Sequence, residues 1–511
     1  MDDTGAIAHA ATGAEVEHFD VLIVGAGISG VGSAVHLQEQ CPDKSFVILD
    51  AQDHFGGTWW THKYPGIRSD SDLYTFGYRF KPWTAEPIAT ADKILKYMGE
   101  VIEDHDLARH IRYRHKILHA NWSSADQAWT VEAERTDTGE RKLITANFLW
   151  MCQGYYRHEQ GHTPEWPGMA DFKGRIVHPQ TWPEDLDYKG KKVVVIGSGA
   201  TAATLIPAMA DDVAHITMLQ RSPTYFVPGR NVDDLADQLR ELEIDERWIH
   251  EIVRRQRLKM GQLFTRMAFE QPEAAKKELL AGVSAFIGPE LTEKHFTPRY
   301  RPWRQRIAFV PEGDIFQKVK AGKASVVTDE IERFTETGIL TRSGEALEAD
   351  IIITATGFNL CVLGDIAFSV DGEPVDFGKT ITYRGMMFTG VPNLVWVFGY
   401  FRASWTLRVD IMGDFVCRLL NHMKRKGVTS VTPKLRPADE GLEPLSWIDP
   451  DNFNPGYLMR EIDKMPKRLA KPEWQHTQDY WAERDTLPKI DLDGPEFSYG
   501  GKVTARETEA A

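Results

Sequence analysis

Two glycine-rich turns carry the first chemical signal in this chain. Gly25-Ala-Gly27-Ile-Ser29-Gly30 follows the apolar run FDVLIV at 19–24 and precedes a helical apolar pattern over 31–37. In that setting the first glycine permits a tight turn and the second lets backbone approach a pyrophosphate. The third lets helix and strand pack closely. The unpaired N–H groups of the helix N-terminus then face the anion. Asp50 ends the next strand pattern, FVILD. A carboxylate there accepts hydrogen bonds from both ribose hydroxyls and repels a 2′-phosphate, which suits FAD or NAD. The second turn, Gly197-Ser198-Gly199-Ala200-Thr201-Ala202, follows KVVVI, and its next strand ends at Gln220-Arg221-Ser222. Arg221 stands where the first unit has Asp50, and a cation there suits the additional phosphate of NADPH. One acidic-tipped and one basic-tipped unit in one chain imply a flavin held by the first and NADPH by the second. That pairing means hydride transfer.

These turns need elements to hold them. Continuous β-branched runs alternating with helical patterns predict parallel strands buried on both faces. The expected fold is α/β, with two Rossmann-like dinucleotide-binding domains and a helical insertion. Gly and Pro thin out between 233 and 292, where DLADQLRELEIDERWIHEIVRRQRLKMGQLF has helical spacing. The runs DIIIT at 350–354 and NLVWVF at 393–398 are expected to rejoin a sheet, which makes the first domain discontinuous. The expected order is a mobile arm over 1–18, an FAD domain over 19–155 and an NADPH domain over 156–230. The helical insertion follows over 231–295, then NADPH domain again over 296–340 and FAD domain over 341–484. A polar tail over 485–511 is expected to wander over the surface.

The composition limits the partners. At roughly 100–200 residues per domain, 511 residues suggest about three domains. A formal charge of −14 argues against nucleic acid as the main partner. Cys41, Cys152, Cys361 and Cys417 lie far apart, with no CxxC pair and no metal-ligand spacing. A disulfide framework, a structural metal and a redox-active cysteine pair are therefore not expected. The longest uncharged stretch, 193–210, holds the second glycine turn and Pro207, so it reads as strand, turn and helix rather than a membrane span. The expectation is a reduced cytoplasmic protein without an integral membrane segment.

A third motif says what the flavin is for. Phe172-Lys-Gly174-Arg-Ile-Val-His178-Pro-Gln-Thr-Trp182-Pro183 fits FxGxxxHxxxWP at every fixed position. Here the sequence resembles the FAD-containing Baeyer–Villiger monooxygenases. Flavin-containing N- and S-monooxygenases typically end this fingerprint in Tyr or Phe instead. Gly56-Gly57-Thr58-Trp59, Tyr64-Pro65-Gly66-Ile-Arg68-Ser-Asp70 and Ala355-Thr356-Gly357-Phe358 are similar to further motifs of that family. Stretches such as CQGYYR, HPQTWPEDLDY and ASWTLRVD look especially like its ethionamide-activating subgroup. The resemblance spans about 19–474.

The resemblance implies a division of labour. Ser29, Asp50, Gly57, Thr58, Trp59, Asp70 and the backbone of Ile117 hold FAD, with Trp59 or Trp60 walling the ring. Arg68, Ser69, Asp70, the turn from Gly197 to Ala202, Arg221 and Ser222 hold NADPH. Arg306 aligns with the family's active-site arginine, and Asp70 is its expected partner. The implied activity is NADPH- and O2-dependent oxidation of a ketone to an ester or lactone through a C(4a)-peroxyflavin, with sulfide oxidation alongside. A fixed guanidinium suits that chemistry because it stabilises a developing anion without losing its own charge. Many ketone-oxidising relatives carry Lys before this arginine; here it is Gln305, so NADPH preference rests more heavily on Arg221. His178 is expected to couple domains rather than transfer protons. The insertion and the segments 360–368 and 400–405 are expected to shape the substrate pocket. Two alternatives stay open at this point, an N- or S-monooxygenase and a flavin- and NADPH-binding redox sensor with no organic substrate.

Overall fold

Val, Ile, Leu and Phe fill 21–24 and 46–49, and every one of those side chains is buried. Such runs suit a sheet covered on both faces. The computed structural model, which describes residues 16–502, pairs the strands Glu17–Val24 and Phe46–Leu49 in parallel, Val21 opposite Phe46. The helix Ile28–Gln40 joins them, as the first glycine turn requires. On the other side Glu17–Val24 pairs in parallel with Arg141–Met151. That long strand forks. Its first half takes Ala128–Arg135 antiparallel, with Trp129 opposite Ala146, and its last residues take Leu394–Trp396 in parallel. His115–Ser123 and Ala367–Val370 extend the antiparallel side. This meander departs from the all-parallel expectation. Its strands alternate buried and more exposed residues, the pattern of a sheet with one face less covered.

The second sheet is wholly parallel, in the order Ala324–Thr328, His215–Gln220, Lys192–Ile196, Ile351–Thr354, Arg175–Val177. The run at 350–354 does join a sheet, but it is this one, with Ile352 opposite Val194. The expected return to the first domain at 341 is therefore corrected. The chain rejoins the first sheet only with Ala367–Val370 and Leu394–Trp396. An apolar run reports burial on both faces but not which of two sheets supplies the neighbours. Residues 393–398 behave as expected.

The segment 231–295 is helical throughout its core: Asp234–Glu241, Glu246–Glu270, Pro272–Ile287 and Pro289–His295. Asp233 and Asp245 cap the first two of these by accepting backbone N–H bonds. Arg254 fixes the long helix to the first unit. Its guanidinium is buried and donates to the carbonyls of Tyr74 and Gly77 and to Asp410. Asp410 belongs to the helix Thr406–Lys426, which packs on Ile28–Gln40 and also takes His36 at 3.0 Å.

Both ends need correction. Glu17 and His18 belong to the opening strand, and the expected arm otherwise lies outside the described residues up to 15. The stretch after 485 is not a surface tail. Leu487, Ile490, Leu492 and Phe497 are buried, and Phe497–Gly500 pairs antiparallel with Ser430–Pro433. Its polar residues mask a few well-spaced apolar anchors. Positions 503–511 lie outside the described residues. Among the described residues, no helix is long and apolar enough to cross a membrane, and all four cysteines are free and buried.

Candidate active site

A cavity of about 520 Å³ lies where the two dinucleotide turns face each other. Gly25, Gly27 and Ser29 reach it from the first turn, and Gly199, Ala200 and Thr201 from the second. Gly30 and Ala202 do not line it; they pack each helix against its sheet. A Cβ built on Gly30 would lie 1.8 Å from the carbonyl oxygen of Gly25, so only glycine permits this approach. Gly197 likewise forms the turn and lies away from the cavity.

Asp50 sits at the end of its strand, buried, with each carboxylate oxygen taking one backbone N–H: Ala26 at 2.6 Å and Gln52 at 2.8 Å. Burial raises its pKa, and the two N–H donors work against that shift. The carboxylate is thereby aimed at the cavity, with lone pairs left for a ribose. Gly57 has φ 53° and ψ −118°, a backbone that side chains do not tolerate, and it opens the single turn Thr58–Thr61. On that turn successive side chains point roughly 100° apart. Thr58 and Trp59 therefore reach the cavity and Trp60 does not. Trp60 stacks on His54 at 4.1 Å, lies under Lys63 and donates to Asp53. Of the two candidate tryptophans, only Trp59 lines the cavity. Ile117 lines the cavity beside His115 and Lys116.

Arg68 and Asp70 also face in, but Ser69 between them does not. In extended chain alternate side chains point to opposite sides, and the Ser69 hydroxyl is spent on the Ser71 carbonyl at 2.8 Å. Arg68 gives one nitrogen to Asp314 at 2.6 Å and keeps Nη2 buried without a partner. Ser198 donates to the Ser222 carbonyl at 3.2 Å and so braces the second turn from outside the cavity. Arg221 and Ser222 are exposed beside that turn, outside the cavity.

Arg306 lines the same cavity. Burial works against its charge, but the Asp70 carboxylate and the Tyr155 and Tyr457 phenols outweigh it and raise its pKa. Asp70 was expected to hold Arg306 directly. Among the described residues, no carboxylate forms an ion pair with Arg306, so Asp70 acts on it through space. Around the pair stands an aromatic wall that the motifs did not assign. Trp405 donates to Ser29 at 2.8 Å and stacks on Tyr155 at 5.3 Å, and Tyr155 in turn meets Tyr457 at 5.8 Å. Gln153 was missed too; both of its amide atoms are buried at the cavity without protein partners. Cys361, Gly364, Ile366 and Trp405 line the cavity as the sequence led us to expect, whereas no residue of 231–295 does. The insertion therefore does not line the pocket as expected.

His178 has both nitrogens committed: Nδ1 accepts from the Gln180 N–H, and Nε2 bonds the Gly357 carbonyl, each at 3.1 Å. Its ring also lies where a Cβ on Gly161 would sit. It therefore ties together the chain segments that cross between the two sheets and has no proton to offer. Burial pushes its pKa down to about 4, and does the same for His158 and His250. Neutral in the fold, these rings take up protons below about pH 6.5 only on unfolding. Stability is thus complete above that pH and falls as pH drops from about 6.5 towards 4, which thermal melts across pH should show.

The cradle fits the two nucleotides: a cavity-facing acid at the first turn, orphaned Gln153 and Arg68 donors, and an exposed cation beside the second turn. This is the architecture of a flavin- and NAD(P)-binding monooxygenase. Comparisons with known proteins bear that out. Residues 23–82 match an NAD(P)-binding Rossmann-like domain and residues 86–235 a flavin-binding monooxygenase-like family. The FAD-containing monooxygenase EthA of Mycolicibacterium smegmatis is 47% identical over 94% of this chain and 97% of its own. EthA of Mycobacterium tuberculosis is 44% identical over 94% and 98%. A steroid monooxygenase solved with NADP has the same fold, with a TM-score of 0.74 at 21% identity over 94% of this chain and 99% of that one. The chain belongs to the FAD-containing monooxygenases of the EthA type. It is an FAD-containing monooxygenase, so the redox-sensor alternative falls.

Proposed function

We propose that this enzyme oxidises ketones to esters or lactones, consuming NADPH, a proton and O2 and releasing NADP⁺ and water. The reading rests on one observation above others: the half-buried Arg306 guanidinium lines the cavity shared by both nucleotide turns and is held charged, with no carboxylate paired to it among the described residues. When bound, FAD reduced by NADPH supplies the activation of dioxygen. The chain supplies the rest. Arg306 stabilises negative charge developing on the substrate carbonyl oxygen, as an oxyanion hole does, and it exchanges no proton. Asp70 keeps that charge in place electrostatically. Trp59, Tyr155 and Trp405 wall the pocket with flat apolar surface, which favours an uncharged substrate and limits water.

A panel of linear, cyclic and aryl ketones with one sulfide, scored by product identification, tests the proposal. Ester or lactone from at least one ketone is expected. Sulfoxide alone would move the enzyme to the N- and S-oxidising class. We further propose that Arg221 recognises the 2′-phosphate. Arg221→Ala should raise KM for NADPH about tenfold, in line with loss of one charge-assisted contact, and leave KM for NADH unchanged. Equal effects on both cofactors would remove Arg221 from that role.

A further inference from the structure

The segment that delivers Arg306 carries an unusual load. Arg299, Arg301 and Arg304 precede it, and Trp303 holds φ 64°, a left-handed backbone that a bulky residue rarely adopts. Something must hold it there. Arg402 does so from another part of the chain: its Nε and Nη2 both lie 3.4 Å from the Trp303 carbonyl. The same Nη2 donates to the carbonyl and the Oδ1 of Asn452, at 3.0 and 2.9 Å. Arg301 meets those same two oxygens at 2.8 and 3.1 Å. The Asn454 N–H closes the junction on the Arg304 carbonyl at 3.0 Å.

Neither guanidinium pairs with a carboxylate among the described residues. Instead both lie over the ring of Phe269, Arg301 at 4.3 Å and Arg402 at 4.9 Å, and Arg402 also faces Phe453 at 5.4 Å. Burial works against the charge of Arg402, and the like charge of Arg301 beside the same asparagine adds to that cost; together they bring the Arg402 pKa down to about 10. Planar guanidiniums suit the site because they stack on rings while donating in plane. Each segment joined here presents a residue to the cavity: 301–306 presents Arg306, 452–457 presents Tyr457 and 402–405 presents Trp405. The first leads into Ala308–Pro311, which pairs with Phe226–Gly229 following the second dinucleotide unit. The other two belong with the helix and loops packed on the first unit. Phe269 ends the long helix of the insertion, so the insertion reaches the site through this stack.

We infer that Arg402 is a positioning residue: with Arg301, Asn452 and Phe269 it forms a latch that fixes Arg306 against the Tyr155–Trp405 wall across the junction between the dinucleotide units. The inference rests on the role proposed above for Arg306, so its test has a readout of its own. Amide hydrogen exchange of the FAD-loaded enzyme should rise in 299–306 and 451–457 for Arg402→Met, and to a smaller degree for Asn452→Ala, with the rest of the chain unchanged. In steady state both variants should divert NADPH electrons from product to hydrogen peroxide, lowering product per NADPH by about fivefold or more for Arg402→Met, because a small displacement of the reacting geometry suffices. Arg402→Lys should not restore coupling, since an ammonium cannot donate to Trp303 and Asn452 in one plane. The double variant should be no worse than Arg402→Met alone. Unchanged exchange in 299–306, or strictly additive losses, would overturn the latch. If the wild-type enzyme gives no oxygenated product, the functional reading fails while exchange still decides the latch. Should Arg402→Met not fold, Asn452→Ala, altered at an exposed side chain, decides on the same two measurements.

Discussion

Arg306→Ala is expected to bind FAD and NADPH and to reduce its flavin, yet form no detectable ester. The side chain lines the cavity without a carboxylate partner, so its removal breaks no ion pair within the protein. The fold should therefore survive. What disappears is a permanent positive charge at the point where negative charge develops during oxygen transfer. Loss of one neutral oxyanion-hole donor typically costs about 10²–10³ in rate, some 2.7–4 kcal/mol. A half-buried permanent cation flanked by two phenols of raised pKa should cost at least that. Arg306→Lys is the informative companion: it keeps the charge, loses the planar fork, and should recover only a small part of the rate. The measurement is paired, with anaerobic flavin reduction followed by absorbance and product followed by mass. Normal ester yield from Arg306→Ala would remove the residue from the mechanism.

The two glycine turns were legible because each position answers to backbone geometry, which a sequence states directly. Asp50 was legible for a similar reason, since the end of the strand after the first turn is a defined place. The aromatic wall was not. Tyr155, Trp405 and Tyr457 are separated by hundreds of residues or by whole elements, and nothing in their spacing signals that the fold stacks them. The segments of Tyr155 and Trp405 resembled the family as strings, CQGYYR and ASWTLRVD, but a string does not say which ring faces the cavity, and no motif covered Tyr457. The Trp59–Trp60 choice failed at a finer level, because it depends on the phase of a single helical turn. Ser69 was misplaced by the alternation of an extended chain whose phase the sequence did not set. The run 350–354 shows the opposite limit: its strand character was plain and its sheet was not, because apolar side chains carry no address.

Gly27 and Gly30 look alike in the motif, and the structure predicts that they fail differently. A methyl group on Gly30 would sit 1.8 Å from the Gly25 carbonyl oxygen. That oxygen cannot retreat, because the Gly25 N–H is bound to Leu49 at 2.7 Å and ties the turn to the sheet. The helix Ile28–Gln40 would have to lift off its own sheet, breaking packing that leaves Val31, Ala34 and Val35 fully buried. Gly30→Ala should thus cost more than about 4 kcal/mol even without cofactor, among the largest effects of a single methyl. A methyl on Gly27 meets only Gly57, its Cα at 3.7 Å and its N at 3.9 Å, which is ordinary contact. Gly27 faces the cavity, however, so Gly27→Ala should leave the flavin-free protein within about 1 kcal/mol of wild type. Its loss should appear in the cofactor, with FAD affinity weakened about a hundredfold as the backbone is pushed from the pyrophosphate. Thermal unfolding of the flavin-free proteins separates the two, and flavin fluorescence titration measures the second. If both variants lost stability equally, Gly27 would be a packing glycine, and the cavity would have to hold its dinucleotide by some other edge of the turn.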